Sequence, residues 1–362
     1  MYTDVFPVRG LLFIYFKNSG GGLYQRMHRL MVYAAKNNYS VHYISPGKPS
    51  LSNGIIHHSL PDFPIWHPLL YLYSPLLILY VVIWHNIRTV ILFDFIYSAL
   101  CLPAKMCNLS LVTLVRGDTI HEMKINKKPA LIIIITKILY EIGVYCSDRI
   151  ITNSKDMANK LMRKFHIPLP HTIYNDIDTN KYYPIPKRKT YRSSLEISEG
   201  SFLVGYAGDL EPRKNVDTLI KAFSKPKIHK KWLVIAGRGK EKGRLMRMVE
   251  ELSILSITTF VDWTDEVNKL LNCIDLLVLP SEYEGCPNII LEAMGAEISF
   301  LASDVRGTRE IVPKSQRFTY RDDVELAKLI MLQHKTEIDF KSQVNNKKFI
   351  FNWEERVLNC CF

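Results

Sequence analysis

The sequence predicts an α/β protein of two domains, each a parallel sheet covered by helices. Three observations carry this. Short apolar runs alternate with helical patterns along the chain, and strand, helix, strand in that rhythm builds a parallel sheet with both faces covered. The rhythm breaks over residues 166–194, where "HIPLPHTIYNDIDTNKYYPIPKRKTYRSS" gathers prolines, turn formers and basic residues as a linker would, and then resumes. A length of 362 residues, 48% hydrophobic and 23% charged, suffices for two cores and excludes wholesale disorder.

The first cycle opens with the apolar run "GLLFIYF" (10–16), read as a strand, followed by "KNSGGG" and the helical "LYQRMHRLMVYAAKNN". "YSVHYIS" (39–45), an apolar helix, and "RTVILFD" (88–94) come next, with "LSLVTLVRG" (109–117) and "DRIITNS" (148–154) as two further strands. After the linker, the apolar runs "SFLVGYAG" (201–208), "KWLVIAG" (231–237), "TTFVDW" (258–263), "DLLVLPS" (275–281) and "ISFLASD" (298–304) read as strands. Helices are expected from about Val216 to Phe223, near 241–253, over Glu266–Cys273, and after "SEYEGCPN". In such Rossmann-like sheets ligands bind beyond the carboxyl ends of the strands, so a ligand is expected in the cleft across which the two domains face each other.

The formal charge is +12 and it is uneven: 18 Lys/Arg oppose 9 Asp/Glu through residue 177, and 29 oppose 26 thereafter. A basic first half suits an anionic partner, with solubility as the plainer reading. The seven cysteines contain no CxxC pair and no histidine group has zinc spacing, so reduced cytoplasmic thiols are expected. The N-terminus lacks a signal-peptide plan. "IWHPLLYLYSPLLILYVVIW" (65–84) and "ALIIIITKILYEIGVYC" (130–146) are interrupted by prolines, tyrosines or charges. They read as buried or half-buried helices, with contact to a membrane face as the alternative.

Four loops leave strand ends with chemistry-bearing residues. In "NSGGGLYQR", Gly20, Gly21 and Gly22 let the backbone approach a diphosphate ahead of a helix N-terminus. In "AGDLEPRKNVDTLIKAF", Gly208 ends a strand and Arg213 and Lys214 precede a helix, cations placed to receive the negative charge of a departing pyrophosphate. "IAGRGKEKG" holds Gly237, Gly239 and Gly243 but not the full dinucleotide fingerprint, which counts against a nicotinamide oxidoreductase. In "SEYEGCPNIILEAMG", Pro287 suits a first helical position, Asn288 and Glu292 share a face, and Glu284 stands at the mouth. Such a helix offers N–H groups to a phosphate and two acids to the hydroxyls of a polyol.

Together these loops resemble the retaining family-4 glycosyltransferases of GT-B fold, which use nucleotide-sugar donors. "SEYEGCPNIILEAMG" is similar to that family's Glu-x7-Glu motif, "GDLEPRKNVDTLIKAF" to its phosphate-binding loop and helix, "TIYNDIDTNKYYP" to its interdomain stretch and "FNWEERV" to its last helix. The resemblance implies an acceptor domain at 1–177, a donor domain at 178–340, and a C-terminal helix within 341–362 returning towards the first. It implies that Arg213 and Lys214 neutralise the diphosphate, Glu284 holds the transferred sugar and Glu292 the ribose. Gly21, Gly22, Gly208 and the backbone at Cys286, Asn288 and Ile289 would contact sugar or phosphate. Arg238, Gly239, Val261 and Trp263 would border the base, and Arg116 and Asp118 would line the acceptor side. There are departures: Asp209 where arginine is usual, Arg116 where histidine is usual, and Asp176 where glycine is usual.

The expected reaction is sugar transfer with retention to a glycan or lipid-linked glycan, in synthesis of a bacterial surface polysaccharide (capsule, O-antigen or exopolysaccharide). No metal or other cofactor is expected, nor a nucleic acid partner. The expected location is the cytoplasm, with an anionic membrane surface at the inner face of the cell membrane as a further contact. A non-catalytic nucleotide-sugar-binding protein is the alternative.

Overall fold

The computed structural model describes residues 9–16, 22–47, 49–61, 68–125, 128–185, 192–193, 197–262, 264, 266–336 and 346–362. The chain divides into two units, Met1–Tyr174 with Asn352–Phe362, and Asn175–Phe351. It passes between them at 174–175 and 351–352, against the expected limits of 177–178 and 340–341.

The sheet of the first unit has seven strands: β1 (Gly10–Ile14), β2 (Ser40–Pro46), β3 (Ile55–Leu60), β4 (Thr89–Leu92), β5 (Ser110–Val115), β6 (Arg149–Thr152) and β7 (His171–Thr172). All pair in parallel, in the order β3-β2-β1-β4-β5-β6-β7. Leu11, Leu12, Phe13 and Ile14 are all buried, as a central strand covered on both faces requires. Strands β3 and β7 go beyond the sequence reading. Edge strand β3, "IIHHSL", is half exposed and lacks an apolar run, and β7 is two residues long inside the proline-rich stretch read as linker.

The two apolar segments form helices Pro68–Trp84 and Ala130–Cys146, each half-buried. Ile78, Val81 and Val82 of the first and Tyr140, Gly143 and Val144 of the second face the core. A Cβ on Gly143 would lie 1.9 Å from the carbonyl oxygen of Phe95, so only glycine lets the short helix Phe95–Leu100 lie this close. No helix among the described residues is long and apolar enough to cross a membrane.

The last eleven residues belong to the first unit. Asn352 caps the helix Trp353–Asn359 by accepting from the Glu355 N–H at 2.9 Å. The buried Trp353 ring carries the guanidinium groups of Arg26 and Arg116 at 5.1 and 5.6 Å. Glu354 pairs with Arg29 at 2.8 Å, and Arg149 donates to the carbonyls of Cys360 and Phe362, each at 3.0 Å.

The second unit has six parallel strands, β8 (Phe202–Ala207), β9 (Lys231–Ala236), β10 (Thr258–Val261), β11 (Leu276–Leu279), β12 (Ser299–Ser303) and β13 (Arg317–Phe318), in the order β10-β9-β8-β11-β12-β13. Its core joins Val204, Tyr206, Leu233, Ile235, Leu276 and Val278 to Leu219, Ile220 and Phe223 of helix Val216–Ser224. Strand order reverses between β8 and β11, and between β1 and β4 in the first unit. These are the switch points at which neighbouring loops part and leave room for a ligand.

Candidate functional site

At the switch point of the second unit, the loops following β8 and β11 diverge beyond two hydrogen-bonded ties at their bases. After Ala207 the chain turns at Gly208 and runs through the 3-10 turn Pro212–Lys214 to Asn215, which takes a left-handed conformation and opens helix Val216–Ser224. The buried Asn215 amide donates to Pro280 O at 3.2 Å and to Thr218 Oγ1 at 2.8 Å, fastening this loop to the end of β11. The Glu282 N–H donates to Arg213 O at 2.8 Å, a second tie between the same two loops.

These ties bring together side chains seventy positions apart. Lys214 Nζ donates to Glu284 Oε1 at 2.5 Å, with side chains only 13% and 11% exposed. Burial pushes the Glu284 carboxyl up, but the charges of Lys214 and Arg213 outweigh it and hold the group below its ordinary value. A cation pair and a carboxylate thus meet at the sheet edge, with Glu284 ionised and its charge balanced.

The helix Asn288–Gly295 begins beside them. Pro287 occupies the capping position rather than the expected first helical one, and no side chain caps the mouth. The backbone is held instead by the buried Asn175, whose amide donates to Cys286 O at 2.9 Å and to Asn288 Oδ1 at 2.6 Å. The Cys286 carbonyl is therefore engaged, and the Ile290 N–H donates to Pro287 O at 3.2 Å; a helix mouth that no side chain caps is the kind of place where an anion is received. Ile289 and Glu292 are half-buried on this helix, Glu292 one turn beyond the mouth.

The glycines of the "GRG" loop have a packing explanation. Gly237 and Gly239 have φ of +151° and +155°, and a Cβ on either would lie 1.9 Å from Gly208 O or 2.3 Å from Leu210 O. Hydrogen bonds from Gly208 N to Ala236 O, Leu210 N to Arg238 O and Gly237 N to Val261 O continue the contact past the ends of β8, β9 and β10. Arg238 and Gly239 are exposed at this edge and Val261 is half-buried. Trp263 and Gly21 lie outside the described residues, and Gly22 begins the helix Gly22–Lys36. Asp209 is exposed, and its carbonyl accepts from the buried Tyr206 hydroxyl at 2.7 Å.

In the first unit, Arg116 and Asp118 follow β5. The Arg116 guanidinium lies over Trp353, and its carbonyl accepts from Asn153 at 3.2 Å. Asp118 accepts from the His121 N–H at 3.0 Å and pairs with Lys160. Burial raises its pKa, and the Lys160 and His121 contacts more than reverse this.

The sequence reading missed three residues at these edges. Gly307, with φ +41°, lies where a Cβ would stand 2.3 Å from the carbonyl oxygens of both Glu284 and Gly285, so the loop after β12 presses on the backbone that carries Glu284. A glycine between arginine and threonine after a strand was the available signal. Asp94 follows β4 at the switch point of the first unit. It caps helix Phe95–Leu100 through the Ile96 N–H and accepts from the Thr119 hydroxyl. Asn175, the residue holding the helix mouth, is the third.

Two Rossmann-like parallel sheets of this order in one chain, the second with a basic pair and a carboxylate at its carboxyl edge, are the architecture of the GT-B class. The description "Glycosyltransferase Family 4" matches residues 20–181 and "Glycosyl transferases group 1" matches residues 187–331. The chain belongs to the family-4 glycosyltransferases of GT-B fold. An O-antigen biosynthesis glycosyltransferase, WclY of Escherichia coli, is 30% identical over 133 residues, which take in 37% of this chain and 37% of that relative. The chain thus spans little more than a third of that curated relative's length. Among solved structures, Anabaena Alr3699/HepE in complex with UDP-glucose superposes with a TM-score of 0.79 at 16% identity, covering 97% of this chain and 98% of that one. Sucrose-phosphate synthase from Thermosynechococcus elongatus gives 0.78 at 17% identity, covering 98% and 95%.

Proposed function

We propose that this chain transfers a hexose from a nucleotide-sugar donor to an acceptor hydroxyl, with retention of the anomeric configuration. The observation that carries the reading is the Lys214–Glu284 pair, reinforced by Arg213, beside the uncapped mouth of helix Asn288–Gly295. The barrier lies in breaking the sugar–phosphate bond while positive charge builds on the sugar and negative charge on the leaving diphosphate. Arg213, Lys214 and the first-turn N–H groups stabilise the departing charge, which exists fully only in the transition state. Glu284, kept ionised by its neighbours, accepts from hydroxyls of the transferred sugar, and Glu292 from those of the ribose. The basic pair supplies the positive charge that a metal supplies in other transferases, so the transfer itself requires no cofactor. The attacking hydroxyl approaches from the face the diphosphate leaves.

Arg116 and Asp118 stand on the acceptor side, with Asp94 and Thr119 beside them at the first sheet's edge. The relative in O-antigen biosynthesis supports a growing surface polysaccharide as acceptor. A cytoplasmic enzyme held against the inner membrane face fits the half-buried helices. Leu72, Leu76, Ile83 and Trp84 are exposed on one, and Leu131, Ile134 and Ile138 on the other. Vesicles containing anionic lipid should co-sediment the protein, and a Leu72→Glu/Leu76→Glu variant should remain in the supernatant.

The decisive experiment is a thermal-shift screen of UDP, GDP, ADP and their sugars, followed by donor turnover with the stabilising sugar. One base should raise Tm and its sugar should be hydrolysed or transferred. Binding without turnover on any donor and acceptor would leave a nucleotide-sugar-binding protein.

A further inference from the structure

Three histidines that the proposed transfer does not use converge at the opposite end of the first sheet. His42 lies on β2 and His58 on β3, where the parallel register sets His42 opposite Ile56 and so places His58, two residues on, on the same face. His85 follows helix Pro68–Trp84, its N–H still bonded to Val81 O at 3.1 Å, and precedes β4. One coordinating nitrogen from each ring lies within 4.8 Å of the other two. His42 Nδ1 and His58 Nε2 are 2.9 Å apart, and the His85 ring centroid is 4.4 Å from that of His42 and 5.2 Å from that of His58.

We propose that His42, His58 and His85 form a binding site for a late first-row divalent cation, Zn2+ by ligand preference. Imidazole suits zinc, copper and nickel, and the cluster contains no carboxylate of the kind that magnesium or calcium demands. Zinc takes nitrogen at about 2.0–2.1 Å in a tetrahedron, so neighbouring ligands stand about 3.3 Å apart, and the His42–His58 nitrogens need only open by a few tenths of an ångström. A supporting contact is already made. Ser40 Oγ is 3.0 Å from His42 Nε2; in the tautomer that carries its proton on Nε2, His42 donates to this hydroxyl and offers Nδ1 to a metal. His58 and His85 are half exposed, which gives an ion a route in and a water its fourth position.

The site lies near the amino end of β2, away from the carboxyl edge that carries the transfer chemistry. Its ligands tie the end of helix Pro68–Trp84 to the edge strands β2 and β3, so the bound ion acts on the stability of that corner. The proposal is independent of the donor and acceptor.

The test uses the full chain freed of any affinity tag and stripped with chelator. Zn2+ is titrated by calorimetry, and Co2+ by its visible d–d absorption. One equivalent of Zn2+ should bind, Co2+ should give a tetrahedral spectrum, and Tm should rise with Zn2+. His58→Gln and His85→Gln should each weaken binding by about tenfold or more, the scale of loss seen even for outer-shell changes. His57→Gln should not, since His57 faces the other way and meets Ser45 at 3.0 Å. Folding of each variant is checked by circular dichroism. Absence of stoichiometric Zn2+ binding, or binding that survives in both His58→Gln and His85→Gln, overturns the proposal.

Discussion

Lys214→Ala separates two roles that one side chain plays. In the parent, Lys214 Nζ lies 2.5 Å from Glu284 Oε1 in a nearly covered pair. Exposed pairs contribute about 0.2–1 kcal/mol, whereas removing one partner of a buried pair costs about 3–5 kcal/mol because the other charge is stranded. Here Arg213 still faces Glu284, so the expected loss is about 2–3 kcal/mol. At about 2–4 °C per kcal/mol for a unit of this size, Tm falls by about 4–12 °C. Turnover should fall much further, by about 10²–10³, the usual cost of removing one donor aimed at developing charge. The apparent affinity for acceptor should hardly move. The double variant Lys214→Ala/Glu284→Gln removes the stranded charge, so it should regain part of the lost Tm and none of the lost turnover. Stability is read by thermal shift and chemistry by release of nucleoside diphosphate. A Lys214→Ala enzyme turning over at nearly the parental rate, or a double variant that regains turnover, refutes the assignment.

Three further outcomes follow from the same geometry. Glu284 is held below its ordinary value of 4.5 in the folded parent, so its contribution is present above that pH and lost as pH falls through the folded value. With Lys214 removed, the carboxyl loses its nearest cation and rises, so the Tm gap between parent and Lys214→Ala should narrow as pH falls from the variant's higher folded value to the parent's lower one. Gly307→Ala should destabilise the protein and cut turnover, because its Cβ meets two carbonyl oxygens at 2.3 Å, whereas Gly243→Ala, in the first turn of a helix with nothing within 4 Å, should leave turnover unchanged and hold or slightly raise Tm. Asn175→Ala leaves the Cys286 carbonyl and the Asn288 side chain without that donor. It should cost about 1–3 kcal/mol by denaturant titration and raise KM for the donor.

What could be read from the sequence followed from how continuous each signal was. Strands β8, β9 and β11 are uninterrupted apolar runs and stand within a residue or two of where periodicity puts them. Strand β3 carries two histidines and an exposed face, and the two-residue strands β7 and β13 are too short to form a pattern. Within the site, the motifs identify Lys214 and Glu284 separately. Their meeting depends on Asn215 reaching Pro280, a contact across 65 positions that no local pattern encodes. Asn175 reads as one polar residue among many in a linker, and its 111-residue reach to Cys286 is visible only in the fold. The histidine cluster has the same character, since ligands 16 and 27 positions apart match no metal spacing.

The C-terminal helix has a consequence for biogenesis. Because Trp353 fills a slot between Arg26 and Arg116, and Arg149 donates to the carbonyls of Cys360 and Phe362, the first unit completes its structure with residues synthesised after the whole of the second. During synthesis the nascent first sheet emerges with that slot open, and the intervening residues 175–351 have their own core to form while it waits. A chain released before residue 352 would therefore carry a complete second unit attached to an unsealed first one, which is the form a chaperone or protease would meet.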